Sequence, residues 1–255
     1  MKIVTWNVNS IRAREERLLA WLKKEKPDVL CLQELKVTNE KFPYDLITEA
    51  GYYSAVHGQP TYNGVAILSL TEPEDVVCGI QDDEDDPQAR LIEATVNGAR
   101  IINGYFPNGK EVGSDKYEYK LRWMQRLSDH MERTTSPDKD VVLVGDFNVA
   151  PDDSDVADPN QWAGSVLCYP DTRKAYEKFL SWGFTDVFRK HNPDGGVHTW
   201  WDYRRLAFQR NNGLRIDLVL ATKSMAERCV AASVDRDERK GDKPSDHAPV
   251  IVEFS

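Results

Sequence analysis

Three strand-like runs, far apart along the chain, each carry a carboxylate at one end. They are residues 29–32 before Glu34, residues 141–144 before Asp146, and residues 249–254 after Asp246. Carboxylates so distant in sequence can converge only if the ends of their strands meet at one rim of a sheet. This requirement constrains the fold more strongly than any other feature of the sequence.

Strand-like and helical segments alternate along the chain. Strands are predicted at residues 2–8, 28–33, 63–70, 90–96, 100–106, 140–145, 214–222 and 250–254. Helices are predicted from a Ser10 N-cap to before Pro27, over residues 116–131, and from an Asp171 N-cap to Gly183. A turn at residues 97–98 predicts an antiparallel hairpin, whereas helical connections permit parallel pairing. The pattern therefore predicts a mixed-sheet α/β protein.

Composition limits the size and the charge of the protein. The 255 residues fit one large α/β domain or two small ones, 40% of them are hydrophobic, and no low-complexity linker divides the chain. We therefore expect a single domain, residues 1–255. The net charge of −9 argues against a simple cationic nucleic-acid binder. It does not exclude a nuclease, because a bound divalent metal and a local basic rim can act within an acidic protein.

Cysteines and the N-terminus predict the compartment. Cys31, Cys78, Cys168 and Cys229 form no C-x-x-C pair, so we expect free thiols in a reducing environment. The N-terminus opens directly as a strand without a signal pattern, and no apolar run is long enough to span a bilayer. These features predict a soluble cytoplasmic protein without a membrane partner, and we expect a monomer because no long apolar stripe is left over for an interface. The acidic run 82–86 is expected to be a solvated loop.

Polar residues at the strand ends supply the chemistry. Asp146 and Asn148 stand two residues apart, so that in an extended backbone their side chains share one face. His247 follows Asp246 directly, and Asp217 can hold one imidazole nitrogen and favour the cation. Each motif alone is also typical of a plain turn at a strand end. Together, carboxylates, amides and an imidazole suit Mg²⁺ and phosphate chemistry, which predicts a metal-dependent phosphodiesterase.

In their order and spacing, these motifs resemble the exonuclease III / apurinic-apyrimidinic endonuclease family of the endonuclease–exonuclease–phosphatase superfamily. They include WNVNSIR at 6–12, LQELK at 32–36, GDFN at 145–148 and SDHAP at 245–249. The matching stretches run from end to end of the chain: residues 1–14, 27–36, 63–66, 102–108, 144–151, 199–204, 213–220 and 243–250. The resemblance implies a four-layer sandwich of two mixed β-sheets packed face to face with helices outside, and an active site at one end.

The resemblance also implies a Mg²⁺ site at these strand ends. Glu34 matches the main ligand, with Asp246 and Asn7 close by, and Asn7 also belongs to the catalytic set. Asp146 and Asn148 are further candidate ligands, and whether they bind a second ion together with His247 stays open. Mn²⁺ is expected to be able to replace Mg²⁺.

Catalytic roles follow from the same resemblance. Asp146 is implied to position and activate the attacking water, and Asn148 to donate its amide to the phosphate. His247, oriented by Asp217, is implied to polarise the phosphate as a cation. Tyr105 is implied to contact the phosphate through its phenol.

An aromatic-rich stretch at 199–204 favours DNA over other phosphoesters. By resemblance, Trp200 together with Leu214 and Ile216 would wall a pocket for a flipped abasic sugar or a frayed 3′ nucleotide. Trp201 is equally typical of core packing. Basic residues near these motifs are candidate phosphate contacts: Arg12, Arg14, Lys36, Arg90, Lys116, Lys120, Arg204, Arg205 and Arg210. Of these, Arg12 and Arg204 lie inside matched motifs, and the others are equally typical of ordinary surface charges.

The sequence therefore predicts a Mg²⁺-dependent DNA-repair nuclease acting on duplex DNA with abasic sites or with damaged or recessed 3′ ends. Segments 111–116, 165–172 and 204–212 are expected to set the balance between incision 5′ to an abasic site, 3′→5′ exonuclease action and 3′-end cleaning. Two alternatives remain. A non-catalytic nucleic-acid-binding regulator would have lost catalytic side chains, and a small-molecule or lipid phosphoesterase would lack the aromatic stretch.

Overall fold

Twelve β-strands form two six-stranded sheets in the computed structural model, which describes residues 1–255. The first sheet has the strand order β11 (Cys229–Val234), β12 (Val250–Phe254), β1 (Lys2–Asn7), β2 (Val29–Gln33), β4 (Val65–Ser69) and β3 (Tyr53–His57). The second has the order β5 (Glu74–Cys78), β6 (Leu91–Val96), β7 (Ala99–Tyr105), β8 (Val141–Asp146), β10 (Asp217–Thr222) and β9 (Phe184–Asp186). Both sheets are mixed, because β1 and β2 pair in parallel in one and β7 and β8 in the other.

Helices cover the outer face of each sheet. They are α1 (Ile11–Glu25) and α2 (Tyr44–Glu49) on the first sheet, and α3 (Asp115–Thr134) and α5 (Pro170–Trp182) on the second. Three further helices are short: α4 (Pro159–Trp162), α6 (Val187–His191) and α7 (Lys223–Arg228). No helix combines the length and the apolar character that crossing a membrane requires.

Three apolar layers lie between these elements. Ile3, Ile67 and Ile101 belong to a cluster of 23 buried residues between the two sheets. On the opposite face of β1, Trp6 packs with Leu18 of α1. A third cluster lies between the second sheet and helices α3 and α5. Alternate residues of one strand thus face different layers, and the predicted four-layer sandwich of two mixed sheets is confirmed.

Most predicted elements are present with small shifts at their ends, and the exceptions have physical reasons. The sequence pattern does not predict β3, β5, β9 and β11, which are the four edge strands, because edge strands need no continuous apolar run. Neither predicted cap side chain caps its helix. Ser10 makes no capping hydrogen bond, and α5 has Tyr169 at its N-cap, with Asp171 already in the first turn.

The acidic run 82–86 is a loop, as predicted, but it is not freely solvated. Asp83 and Asp85 are exposed. Asp82 and Asp86, however, pair with the buried Arg126 of α3. The expectation of a solvated loop is therefore wrong for these two carboxylates, since both bind the same arginine on the neighbouring helix.

The strand end that carries Asp146 depends on a glycine. Gly145 has a φ of 144°, and a Cβ at this position would lie 1.8 Å from the carbonyl oxygen of Gly104 on β7. Any larger residue would therefore force β7 and β8 apart. The glycine keeps Asp146 in register beside Tyr105.

Candidate active site

Strand register brings predicted site residues together at one rim of the sandwich. Asp146 at the end of β8 stands opposite Tyr105 at the end of β7 and Asp217 at the start of β10. In the facing sheet, Asn7 ends β1 and Glu34 follows β2 directly. The distant carboxylates do therefore meet at one rim, as the sequence requires.

Asn7 joins the two sheets across this rim. Its Nδ2 donates to Oε1 of Glu34 at 3.0 Å and to Oδ2 of Asp146 at 2.9 Å. The phenol of Tyr105 donates to the same Glu34 oxygen at 2.9 Å. Burial raises the pKa of Tyr105 well above its usual value, and the charges of Glu34 and Asp146 raise it further. The phenol therefore keeps its proton and acts as a donor.

His247 lies between two buried carboxylates. Its Nδ1 is 2.9 Å from Oδ2 of Asp217, and its Nε2 is 3.7 Å from Oδ2 of Asp146. Burial alone would lower the pKa of His247, but the charges of Asp217 and Asp146 outweigh burial and raise it. Burial also raises the pKa of Asp146, against the opposing charge of His247. The arrangement therefore favours an imidazolium.

Asp246 is held from two sides. Its Oδ1 accepts from Nδ2 of Asn9 at 2.9 Å, and its Oδ2 accepts from Nε1 of Trp200 at 3.0 Å. Burial would raise the pKa of Asp246, but the charge of His247 and these two hydrogen bonds lower it. The carboxylate is therefore ionised and fixed in orientation.

Lys36 binds the Glu34 carboxylate rather than standing free as a phosphate contact. Its Nζ lies 2.9 Å from Oε2 of Glu34 and 2.6 Å from Oδ1 of Asn9. Burial would raise the pKa of Glu34, but the hydrogen bond from Asn7 and the charge of Lys36 lower it. Asn9 and Lys36 thus belong to the site. Their sequence signal is weak: Asn9 is two residues from Asn7, and Lys36 two from Glu34.

Asn148 reaches the site through a turn, not through extended backbone. Its φ is 49°, and its backbone N–H donates to Oδ1 of Asp146 at 3.0 Å. Its Nδ2 donates to the carbonyl of Phe106 at 3.1 Å, while its Oδ1 accepts from Asn108 at 2.9 Å. The two-residue spacing therefore predicts correctly that Asp146 and Asn148 lie together. The cause is a turn and not a shared strand face, because the strand ends at Asp146.

Positive φ angles cluster at this rim. Asn9, Glu34 and Lys36 have φ values of 45°, 53° and 57°. Such conformations cost on the order of 1–3 kcal/mol each for residues other than glycine and persist where surrounding contacts fix them. The backbone is therefore strained where the polar side chains converge, which is typical of functional sites.

A cavity of about 530 Å³ opens beside the polar residues. Asp146 and His247 lie on one side, whereas Trp162, Trp200 and Ile216 form an apolar side. The two indole rings stand nearly perpendicular, with centroids 5.9 Å apart. Trp162 belongs to no matched motif, and its only sequence signal is the helix start at 158–159. A larger cavity of about 870 Å³ contains none of the predicted catalytic residues, so the chemistry assigns the site to the smaller one.

Leu214 and Trp201 both lie outside the lining of this cavity. Leu214 does not line it, contrary to expectation, because its side chain is fully buried and its backbone bridges both Val156 and Trp200. The regular strand begins only at Asp217, so alternation does not apply at Leu214. Trp201, which sequence left open, is fully buried in the core.

Among the basic residues, Lys120 is the clear correction. It is fully buried, and its Nζ donates to the carbonyls of Asn108, Asn148 and Val166 at 3.3, 2.6 and 3.0 Å. Burial lowers the pKa of Lys120 to about 7, although nearby negative charge opposes the shift. Lys120 therefore ties three loops together instead of facing a ligand. Arg12 and Arg204 are exposed and lie outside the cavity lining.

The donor atoms at the rim fit a hard divalent cation. Asp146, Asp217 and His247 have candidate ligand atoms within 4.8 Å of one another, but His247 is paired with Asp217 and favoured as a cation, which leaves the carboxylates as the possible ligands. On the other side, oxygens of Glu34 and Asn9 already bind the ammonium of Lys36. Carboxylate and amide oxygens are the ligands that Mg²⁺ prefers. The site thus contains an acidic group able to hold a metal ion.

Comparison with known proteins gives consistent matches over the whole chain. The model of the endonuclease/exonuclease/phosphatase family matches residues 4–247. Exodeoxyribonuclease III from Haemophilus influenzae is 37% identical over 100% of both chains. The structure of an AP endonuclease from Archaeoglobus fulgidus superposes with a TM-score of 0.97 at 44% identity, covering 100% of this chain and 99% of that one. A variant of the 3′ phosphatase NExo from Neisseria, bound to product DNA hairpin, gives 0.95 at 43% identity, covering 100% and 99%.

Proposed function

Because the chain belongs to the endonuclease/exonuclease/phosphatase family and is a nuclease of the exodeoxyribonuclease III type, we propose that it hydrolyses phosphodiester bonds of duplex DNA with the help of Mg²⁺. Its substrates are abasic sites, cut on their 5′ side, and damaged or recessed 3′ ends. Residues 1–255 act as one catalytic domain and as a monomer.

One observation carries this proposal: a single cavity has two unlike sides. His247 and Asp146 lie on the polar side, and Trp162, Trp200 and Ile216 lie on the apolar side. A sugar without its base suits the apolar side, and its phosphate would then face the imidazolium. Relatives named as an AP endonuclease and a 3′ phosphatase support both uses of one site.

Asp146 is the residue that receives the proton of the attacking water. Asn7 orients its carboxylate, and burial raises its pKa, which suits a general base. The water oxygen bonds to phosphorus as the bond to the leaving 3′ oxygen breaks. The leaving oxygen takes a proton from solvent, so the products carry a 3′ hydroxyl and a 5′ phosphate.

Three side chains stabilise the phosphoryl oxygens. His247, oriented by Asp217, presents Nε2 as a charged donor. Asn148 has a second amide hydrogen beyond the one given to Phe106, and Tyr105 would turn its single phenol proton from Glu34 to the phosphate. Because His247 and Asn148 are buried and held by neighbouring groups before substrate binds, these two donors need little reorganisation when charge develops.

Glu34, Asn7 and Asp246 would hold Mg²⁺, or Mn²⁺ in its place, and the bound ion would neutralise charge on the phosphate and the leaving oxygen. Lys36 occupies one Glu34 oxygen. Lys36 and a metal ion therefore compete for that carboxylate.

DNA contacts extend beyond the reacting phosphate. Trp200 and Ile216 hold the sugar, while the exposed Arg12 and Arg204 contact backbone phosphates. If these contacts are mainly ionic, affinity for duplex DNA falls steeply as salt concentration rises. A flat salt response would count against this surface.

Steady-state kinetics on three substrates test the proposal: an abasic duplex, an intact duplex and bis(p-nitrophenyl) phosphate. A kcat/KM about a hundredfold higher for the abasic duplex than for the small diester supports it. Faster turnover of the small diester favours a small-molecule phosphoesterase instead. Tight DNA binding without cleavage favours a non-catalytic binding protein.

A further inference from the structure

The acidic run is gathered around one buried arginine. Arg126 of α3 binds Asp82 through Nε at 2.7 Å and Nη2 at 2.8 Å, and Asp86 through Nη1 at 3.0 Å. Glu84 lies 3.2 Å from its Nε. Arg126 is only 8% exposed. Asp82, Glu84 and Asp86 would repel one another without this cation, so Arg126 is central to holding the loop against α3, where Arg122 also pairs with Glu84.

A chain of hydrogen bonds leads from this loop toward the active site. Oδ1 of Asp86 accepts from the backbone N–H of Gln88 at 3.1 Å, and its Oδ2 accepts from the phenol of Tyr119 at 2.9 Å. Oε1 of Gln88 then accepts from Nε of Arg90 at 2.8 Å. The closed loop therefore fixes the side chain of Arg90.

Arg90 in turn holds Tyr105. Its Nη1 donates to the Tyr105 carbonyl at 3.1 Å, and its guanidinium carbon lies 4.9 Å from the Tyr105 ring centroid. No carboxylate pairs with Arg90, so it is oriented by the hydrogen bonds to Gln88 and Tyr105 and by the rings of Tyr105 and Tyr119, whose centroids lie 4.9 and 6.0 Å from its guanidinium carbon. The opposite end of Tyr105 donates to Glu34. Contacts thus run without a break from Arg126 to the Glu34 carboxylate.

We propose that Arg126 is a positioning residue for the nuclease reaction, acting through Asp86, Gln88 and Arg90 to fix Tyr105 against Glu34. This inference rests on the proposed function and assigns a purpose to the acidic run, which is to place Arg90. Loss of Arg126 opens the loop and frees Arg90. The Tyr105 phenol then loses its fixed orientation, which lowers turnover more than substrate binding.

Kinetics of Arg126→Met, alone and in the Tyr105→Phe background, test the inference. Arg126→Met is expected to lower kcat about tenfold while KM changes less than about twofold. Tyr105→Phe already removes the hydrogen bond to Glu34. In that background, Arg126→Met should therefore lower kcat less than about twofold further, because coupled residues are non-additive. Arg133→Met is the matched control, since Arg133 lies on the same helix and contacts the same loop only at the carbonyl of Gln81.

A purely structural role gives a different pattern. It would scale kcat by the same factor in both backgrounds, through the fraction of folded enzyme, and that result overturns the inference. If Arg126→Met does not fold, Gln88→Leu breaks the chain while leaving every Arg126 ion pair in place. Gln88→Leu should then show the same loss of kcat and the same non-additivity with Tyr105→Phe.

A second readout is independent of cleavage. In ¹⁵N spectra, the signal of the Arg90 Nε–H can be assigned by its loss in Arg90→Lys. This hydrogen should exchange slowly with solvent in the wild-type protein and about tenfold faster in Arg126→Met and Gln88→Leu. Unchanged exchange in both variants overturns the chain of contacts. Absence of DNA cleavage by the wild type would instead overturn the proposed function, so the two failures are distinguishable.

Discussion

His247 and Asp217 form a buried ion pair in which Nδ1 of the imidazole lies 2.9 Å from Oδ2 of the carboxylate. The pair fixes both the charge and the orientation of the ring. Asp217→Asn removes the charge and offers the ring an amide instead, so the cation is less favoured and only Asp146 remains beside the ring to stabilise it. We expect kcat to fall about a hundredfold, measured per folded enzyme. Asp153→Asn, at an exposed carboxylate, is the control, and unchanged turnover of Asp217→Asn would contradict the role given to the pair.

Two adjacent tryptophans should respond differently to the same change. Trp201 is fully buried, so Trp201→Ala should cost about 3–5 kcal/mol of unfolding free energy. Trp200 lines the cavity and donates to Asp246. Trp200→Ala should therefore raise KM for an abasic duplex about tenfold with a smaller loss of stability. Urea unfolding and steady-state kinetics on both variants decide this, and an unchanged KM for Trp200→Ala would remove that residue from the proposed sugar site.

Lys120 should matter for stability and not through DNA contact. Lys120→Met removes the donor shared by the carbonyls of Asn108, Asn148 and Val166, of which the Val166 carbonyl keeps the hydroxyl of Thr172 as a donor. We expect a loss of about 2–4 kcal/mol in unfolding free energy, because each buried unsatisfied group is costly. Lys116→Met, at an exposed position of the same helix, should change it by less than about 0.5 kcal/mol. Equal stabilities of Lys120→Met and Lys116→Met would contradict the interpretation that the buried Lys120 holds the three loops together.

The Asp82–Arg126 contact predicts a pH-dependent stability. The hydrogen bond from Arg126 holds the pKa of Asp82 below its ordinary value of 3.8. A lowered native pKa stabilises the fold above the ordinary value and loses that effect as the pH falls through the native value. The thermal midpoint of Asp82→Asn should thus lie below that of the wild type at neutral pH, and the gap should narrow below pH 3.8. A difference between the two thermal midpoints that stays constant with pH would exclude a contribution of the Asp82 carboxylate to stability. Asp83→Asn, at an exposed carboxylate, is the control.

The sequence predicts the site where regular structure determines position. Asp146, Tyr105 and Asp217 lie side by side because strand register places them so. Sequence reasoning is weaker beyond the strand ends. Leu214 is assigned wrongly because the chain there is irregular, and Trp162 is missed because a separate short helix brings it to the cavity.

Charge roles also depend on tertiary contacts that spacing cannot reveal. Lys36 and Lys120 are both candidate phosphate contacts by sequence. In the structure, Lys36 binds Glu34, whereas Lys120 is buried among backbone carbonyls. The acidic run has the composition of a solvated loop. However, Arg126, which lies 44 positions after Asp82 in the sequence, binds this loop to α3. Such pairings follow from how helices pack on the sheets, which local pattern does not specify.

Cleavage of two end-labelled duplexes is the most direct test of the central claim. One duplex carries a central abasic-site analogue, and the other is intact with a recessed 3′ end. Each is incubated with Mg²⁺ or with EDTA, using the wild type and Asp146→Asn. We predict Mg²⁺-dependent incision on the 5′ side of the analogue and Mg²⁺-dependent shortening of the recessed end. Asp146→Asn should fold normally and lose about a hundredfold or more in turnover. Failure of the wild type to cleave either duplex, or near-normal turnover by Asp146→Asn, would contradict the account.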